Sequence, residues 1–226
     1  MEGSQDRIKL IALAVFAVIA AGVVAAILIG RSGGGGDSTT TASASGCKQV
    51  EAPKPKKVSF KAPRQTVQKG EKLTAVVETS CGTFDIALDS TRAPKTVNSF
   101  VFLSEEGFYD GLSFHRVIPE FVVQGGDPEG TGNGGPGYSV DEKPPANLAY
   151  TRGVVAMAKT SAEPPGRSGS QFFVVLSADA ALTPEYALVG KVDKGFDVVE
   201  RIGKLGTPSG EPKQIVVIEK ISIEKG

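Results

Sequence analysis

Metal-binding side chains are scarce in this chain, which holds one histidine and two cysteines among 226 residues. A structural or catalytic zinc site needs three or four His, Cys or carboxylate ligands brought together, so no metal is expected. No feature calls for another cofactor. An excess charge of one sign is missing too: 25 basic residues balance 25 acidic ones, which removes the electrostatic footprint of a nucleic-acid partner. Internal repeats are absent, and only one stretch is long, apolar and uncharged.

That stretch, LIALAVFAVIAAGVVAAILI from Leu10 to Ile29, runs for twenty residues without a charge. As a helix it would be about 30 Å long, the thickness of a bilayer's hydrocarbon core, so residues 10–30 read as a transmembrane helix. Arg7 and Lys9 precede it, Arg31 follows, and the next basic residue is Lys48. This asymmetry puts residues 1–9 in the cytoplasm and the bulk of the chain outside it, as a single-pass protein of the cell membrane. A cleaved signal peptide is the rival reading. Against it stands an apolar core longer than the usual 7–15 or so residues. The nearest Ala-x-Ala beyond the run is also far downstream, at Ala42 to Ala44.

Residues 31–46, with the stretch SGGGGDSTTTASASG, have no apolar periodicity and read as a flexible linker, with a root-mean-square reach of roughly 20 Å. Residues 47–72 carry Pro53, Pro55 and Pro63 among many lysines and read as an extended segment, with VSF and QTV lying along the domain. From Leu73 the composition becomes an ordinary mixture of β-branched, charged and turn residues, so 73–226 is the folded unit. It is long enough to bury one core without metal or multiple disulfides. Outside the cytoplasm two cysteines form an even, oxidisable pair, and a Cys47–Cys81 disulfide is expected. It would tie the extended segment to the start of the domain, a constraint worth about 4 kcal/mol in the chain-entropy account. In a reducing compartment the two would be unrelated thiols.

LTAVVET and TFDIALD alternate apolar and polar residues around Ser80, Cys81 and Gly82, the pattern of a hairpin. Pro94 suits the first turn of a helix carrying Val97, Phe100, Val101 and Ser104 on one face, and Gly107 suits its end. Strands are expected at 112–117, 121–124, 153–158, 171–176 and 187–192, a second helix at 196–203, and a closing strand in QIVVIEKISIE. Eight short strands and two helices fit a mainly β fold, a closed antiparallel barrel with helices over its open ends. An open α+β sheet would show the same periodicity.

The stretch FHRVIPEFVVQGGDPEGTGNGGPGY, Phe114 to Tyr138, holds the only histidine, an arginine among apolar residues and seven glycines. Gly130, Gly132 and Gly135 match GxGxxG, yet the segment proceeds to Pro136 and Gly137 rather than into a helix, which argues against a dinucleotide site. A Walker loop lacks its terminal Gly-Lys-Ser/Thr. No Ser or Cys sits beside His115 in a nucleophile's setting, so His115 reads as structural. On a continuous strand Arg116 would share a face with Phe114, opposite to His115, with Gln124 and Phe121 nearby. These residues alone fit an arginine that merely pairs with a surface carboxylate.

FHRVIPEFVVQGGDP, GTGNGG, GVVAMA, GSQFFVVL and ALVGKV, in that order, resemble the cyclophilin-type peptidyl-prolyl isomerases over essentially all of 73–226. The short glycine-rich connection ending in GGPGY looks like the compact bacterial type. The resemblance implies a closed eight-stranded barrel capped by two helices, and rotation of Xaa-Pro bonds in polypeptides. It implies catalytic roles for Arg116, Phe121 and Gln124. Gln171 would position substrate backbone and arginine, while Phe121, Met157, Phe173 and Leu182 would hold the proline ring. Val122, Gly132, Ala158, Lys159 and Thr160 would line the adjoining groove, with Ala181 and Tyr186 at the rim. Several of these depart from the family pattern. Val122 stands where many members have Met, Lys159 and Thr160 replace Asn-Ala, Ala181 replaces a tryptophan, and Tyr186 replaces a histidine. The loss of the indole makes strong cyclosporin binding unexpected.

The reading is a membrane-tethered, monomeric prolyl isomerase acting on exported or cell-surface polypeptides. A non-catalytic peptide-binding or chaperone module using the same groove is the alternative.

Overall fold

The computed structural model describes residues 46–226. The expected transmembrane helix and nearly all of the linker lie outside these residues. Among the described residues no helix is long and apolar enough to cross a membrane.

The described residues form ten strands and two helices: β1 (Leu73–Thr79), β2 (Gly82–Leu88), α1 (Pro94–Glu105), β3 (Arg116–Ile118), β4 (Val122–Gly125), β5 (Val140–Asp141), β6 (Val154–Met157), β7 (Arg167–Ser168), β8 (Phe172–Val175), β9 (Leu188–Lys194), α2 (Phe196–Lys204) and β10 (Ile218–Lys225). Alternation makes the first hairpin. Leu73, Ala75 and Val77 of β1 and Phe84, Ile86 and Leu88 of β2 are buried, while the residues between them face outward or are half-buried. Leu73 pairs with Leu88 and Val77 with Phe84, so the apolar side chains fall on the core face of both strands. Thr79 closes the turn, its hydroxyl donating to the Gly82 carbonyl and accepting from the Cys81 amide.

Helix α1 starts at Pro94 and has no capping side chain of its own. A carboxylate from far along the chain takes that place: Glu142 accepts from the Lys95 and Thr96 amides and from the Thr96 hydroxyl. This satisfies N-terminal donors that the helix cannot satisfy itself, and it sets negative charge at the positive end of the dipole. Gly107, at φ +64°, turns the chain out of the helix.

Eight strands form one antiparallel sheet in the order β10-β1-β2-β9-β6-β8-β4-β3, and β5 and β7 form a separate two-stranded pair. The sheet curls into a half-barrel and does not close, in contrast to the closed barrel expected. Its two end strands, β10 and β3, are not paired with each other. That side is spanned by an isolated bridge, Ser113 with Val217, and by backbone hydrogen bonds linking Gly111, Leu112 and Phe114 with Ile218 and Val216, without a continuous ladder. The outer edge of β3 is taken by a loop, for Val117 donates to the Gly210 carbonyl and its own carbonyl accepts from Thr207. An edge satisfied by a loop has no need of a closing strand.

The segment expected as a strand over 112–117 is regular only from Arg116. Alternation therefore does not run through Phe114. That ring lies in the core edge-on to Phe172 at 6.3 Å, rather than beside Arg116.

Cys47 and Cys81 form the expected disulfide, separated by 34 residues. Beyond it, residues 48–67 run along the domain as a strap. Phe60 packs edge-on against Phe102 at 5.2 Å, and the Thr66 and Val67 amides donate to the Asn98 side chain. Replacing both cysteines by serine removes the cross-link from the unfolded chain and is expected to cost about 2–4 kcal/mol. The thermal midpoint of the oxidised protein should exceed that of Cys47→Ser/Cys81→Ser by roughly 5–15 °C. Equal midpoints by calorimetry would show that the strap's end carries no folding energy.

Candidate functional site

The sheet brings the candidate residues into one row. Arg116 lies opposite Gln124, Gln124 opposite Phe173, and Phe173 opposite Ala156. Residues directly opposite in antiparallel pairs share a face, so guanidinium, amide and phenyl ring stand side by side. Phe173 is 3% exposed and Gln124 7% exposed, so this polar group sits in a largely dry wall.

A directed chain of hydrogen bonds connects the row to the glycine-rich loop. Arg116 Nη1 donates to Gln124 Oε1 at 3.0 Å, and Gln124 Nε2 donates to Gln171 Oε1 at 3.0 Å. Gln171 Nε2 then donates to the carbonyls of Gly132 and Gly134, each at 2.9 Å. The direction is set from the far end. Backbone carbonyls only accept, so Gln171 must turn its NH2 to the loop and its oxygen to Gln124. That leaves Gln124 to present NH2 to Gln171 and oxygen to Arg116. Burial lowers the pKa of Arg116 from its ordinary value, with Tyr186 opposing; a guanidinium still remains cationic in neutral solution.

The loop is itself held. Asp127, buried, accepts from the amides of Glu129 and Gly132. Gly132 adopts φ +88°, in the region that favours glycine. A side chain at Gly134 would place its Cβ 2.0 Å from Asp127 Oδ1, so close approach requires glycine there.

Met157 is buried, while Phe121 and Leu182 are half-buried and pack on the core. The Tyr186 ring meets Phe173 edge-on at 5.5 Å. Val122 is buried between Ile118 and Val175 in the ladder, whereas Ala181, at φ +52°, and Thr160 are exposed. The Ala158 amide donates to the Gln171 carbonyl at 2.8 Å.

Two supports were not foreseen from the sequence. The buried Tyr150 hydroxyl donates to the Tyr186 carbonyl at 2.6 Å and accepts from the Tyr186 amide at 3.0 Å, which fixes the rim. Tyr150 lies outside the regular elements, where periodicity gives no signal. The Lys159 side chain, 4% exposed, sits 3.3 Å from Glu185 Oε2 and 5.7 Å from the centre of the Tyr186 ring. It also donates to the Thr160 and Glu163 carbonyls, joining two loops beside the site. Lysine chemistry alone does not reveal such a hub, because its partners come from separate loops.

Among the described residues no three His, Cys, Asp or Glu groups gather as a metal site. Fold and row together define a mainly β protein with a rigid polar and aromatic surface site. The family described as "Cyclophilin type peptidyl-prolyl cis-trans isomerase/CLD" matches residues 74–223. Peptidyl-prolyl cis-trans isomerase ppi1 of Schizosaccharomyces pombe is 40% identical over 148 residues, covering 62% of this chain and 94% of that protein. Peptidyl-prolyl cis-trans isomerase-like 1 of Neurospora crassa is 40% identical over 135 residues, covering 58% of this chain and 81% of the relative. A Cryptosporidium parvum cyclophilin type peptidyl-prolyl cis-trans isomerase, solved in the presence of the dipeptide Ala-Pro, superposes with TM-score 0.63 at 33% identity, over 68% of this chain and 99% of that one. The chain belongs to the cyclophilin-type peptidyl-prolyl cis-trans isomerases and is an enzyme of that class. These relatives are eukaryotic and lend no support to the compact bacterial type.

His115 lies beside this site and is the chain's only histidine. Burial lowers its pKa from the ordinary 6.5, with Asp127 opposing and Arg116 reinforcing the shift. Below the ordinary value the unfolded chain then binds more protons than the folded one, so stability is full above it and falls as pH drops. The denaturation midpoint is expected to decline as pH falls below about 6.5, and His115→Asn to flatten that decline. A slope unchanged by the substitution would assign the dependence to other groups.

Proposed function

We propose that the protein accelerates cis/trans rotation of Xaa-Pro bonds with Arg116 as its electrophilic group. The observation that carries this reading is the Arg116–Gln124–Gln171 chain, set beside Phe173 and anchored on glycine-loop carbonyls. Amide resonance raises a rotation barrier of about 18–20 kcal/mol. Rotation pyramidalises the prolyl nitrogen and localises its lone pair. An N–H donated to that lone pair is a stronger interaction in the twisted state than in either planar one, which is selective stabilisation of the transition state. No proton changes owner and no bond breaks, so a group that stays charged is suited to the role.

The remaining residues hold the substrate. Phe121, Phe173 and Leu182 form an apolar recess for the proline ring, with Met157 as its floor. Gln124 and Gln171 orient the arginine and offer polar contacts to the peptide backbone. Gly132 and the backbone of Ala158, Lys159 and Thr160 line the groove for residues before proline, with Val122 behind it and Ala181 and Tyr186 at its rim. The Ala-Pro dipeptide named with the Cryptosporidium parvum relative supports a proline-containing ligand.

The apolar run at residues 10–30 supports a single-pass membrane anchor, and the disulfide supports placing the domain in an oxidising compartment outside the cytoplasm. The clients are then exported or cell-surface polypeptides, handled by a monomer. We read the short connection from Gly130 to Tyr138 as the compact bacterial type.

The test is catalysed cis/trans exchange of an Ala-Pro-Phe peptide by NMR, using the full chain. Arg116→Ala is expected to lower kcat/KM on the order of 10²-fold, the usual cost of losing one preorganised donor. Peptide binding without acceleration by the wild-type chain would make the groove a recognition module and overturn the role of Arg116.

A further inference from the structure

The strap of residues 48–67 touches the glycine-rich loop at both of its ends. The Lys56 amide donates to the Pro128 carbonyl at 2.8 Å, and the Phe60 amide donates to the Pro136 carbonyl at 2.7 Å. Between these points lie Gly132 and Gly134, whose carbonyls receive the Gln171 side chain. Ser59 and the Phe60 backbone also press on the exit of the loop. A Cβ at Gly137, which holds φ +89°, would lie 2.2 Å from Ser59 Oγ and 2.9 Å from the Phe60 carbonyl oxygen.

The strap is in turn fastened to the domain at several points. The Phe60 ring lies against Phe102 at 5.2 Å and Phe108 at 6.4 Å. Arg64 stacks over Phe102 and pairs with Glu106. The Lys56 ammonium donates to the Asp110 carbonyl. Asn98 binds the strap in both directions, accepting from the Thr66 and Val67 amides and donating to the Arg64 carbonyl at 2.8 Å. Cys47, through its disulfide, and the Lys48 amide on the Ser80 carbonyl hold the far end.

We infer that the strap is a positioning element of the site: by fixing Pro128 and Pro136 it sets the two carbonyls that orient Gln171, and through Gln124 it sets Arg116. Phe60 is its principal anchor. A loop rich in glycine has little stiffness of its own, and the amide chain transmits any displacement of its carbonyls directly to the guanidinium. The inference rests on the isomerase reading for its catalytic consequence and on geometry alone for its mechanical one.

The experiment compares the full chain with Phe60→Ala and the conservative Phe60→Leu, at a temperature where circular dichroism shows each fully folded. Backbone hydrogen exchange over residues 129–135 is read beside kcat and KM for the Ala-Pro-Phe peptide. Phe60→Ala removes the ring contacts, so exchange in the loop should quicken by roughly tenfold or more while the core strands keep their protection. The value of kcat should fall several-fold with KM changed less, as expected when a transition-state contact is misplaced. Phe60→Leu should recover most of both, and if the alanine variant does not fold, Arg64→Ala, which removes that side chain's contacts with Phe102 and Glu106, takes its place. Unchanged loop exchange in folded Phe60→Ala, or in the Arg64→Ala variant that stands in for it, overturns the inference. So does faster exchange with kcat and KM both at wild-type values. If the wild-type chain itself is inactive, the isomerase reading fails, and loop exchange alone decides whether the strap holds the loop.

Discussion

A charged guanidinium at the edge of an apolar wall must be given fixed acceptors or be lost to water, and the site is organised around that requirement. Arg116 finds its acceptor in Gln124, an amide that could equally present nitrogen. What forbids the wrong orientation is remote: two glycine carbonyls that can only accept, reached through Gln171. The polarity of the site is therefore written by backbone, in a loop whose conformation needs glycine at positions 132 and 134. Hydrogen bonds in such a chain polarise one another, so the acceptor facing Arg116 is stronger than an isolated amide. The same low-dielectric surroundings would make a mis-turned amide costly, which keeps one arrangement populated.

Antiparallel register performs the second task, placing Arg116, Gln124, Phe173 and Ala156 in one line across four strands. A slip of one residue on any of these strands would send its contribution to the opposite face. Outside the sheet the rim depends on individual contacts rather than on a ladder. Tyr150 binds both the amide and the carbonyl of Tyr186, and Lys159 joins the Thr160–Glu163 turn to Glu185. The buried lysine is acceptable because its ammonium meets two carbonyls, a carboxylate and an aromatic face.

Much of this was legible in the sequence, and what was not has physical reasons. The first hairpin and α1 announce themselves by alternation, by Pro94 and by Gly107, and the disulfide joins the two cysteines that form an even pair in the sequence. Closure was misjudged because strand periodicity describes the faces of a sheet and says nothing of its edges; the Thr207–Gly210 loop occupies the edge where a closing strand was expected. Phe114 was placed beside Arg116 by an alternation that begins only at Arg116. Arg116 itself, judged from its neighbours, resembled an ordinary surface pair, and only the full ordered motif set pointed elsewhere. The strap was least legible. Prolines and lysines give no period, and its decisive contacts are backbone amides that any sequence possesses.

Rotation about an amide transfers no proton, and this removes the need for a tuned acid or base. The site accordingly depends on where its groups stand more than on their pKa values: a guanidinium that stays charged, neutral amides, and rings. His115, the one side chain ordinarily titrating near neutrality, has its pKa lowered by burial, which favours the uncharged form. Positional accuracy then becomes the quantity on which catalysis depends, since a donor displaced by about 1 Å can cost two orders of magnitude in rate. Such accuracy cannot be kept by a glycine-rich loop alone. The disulfide-tethered strap, the Tyr150 clamp and the Lys159 hub are all placed where loops, not strands, carry the site, which is where the backbone ladder offers no support of its own.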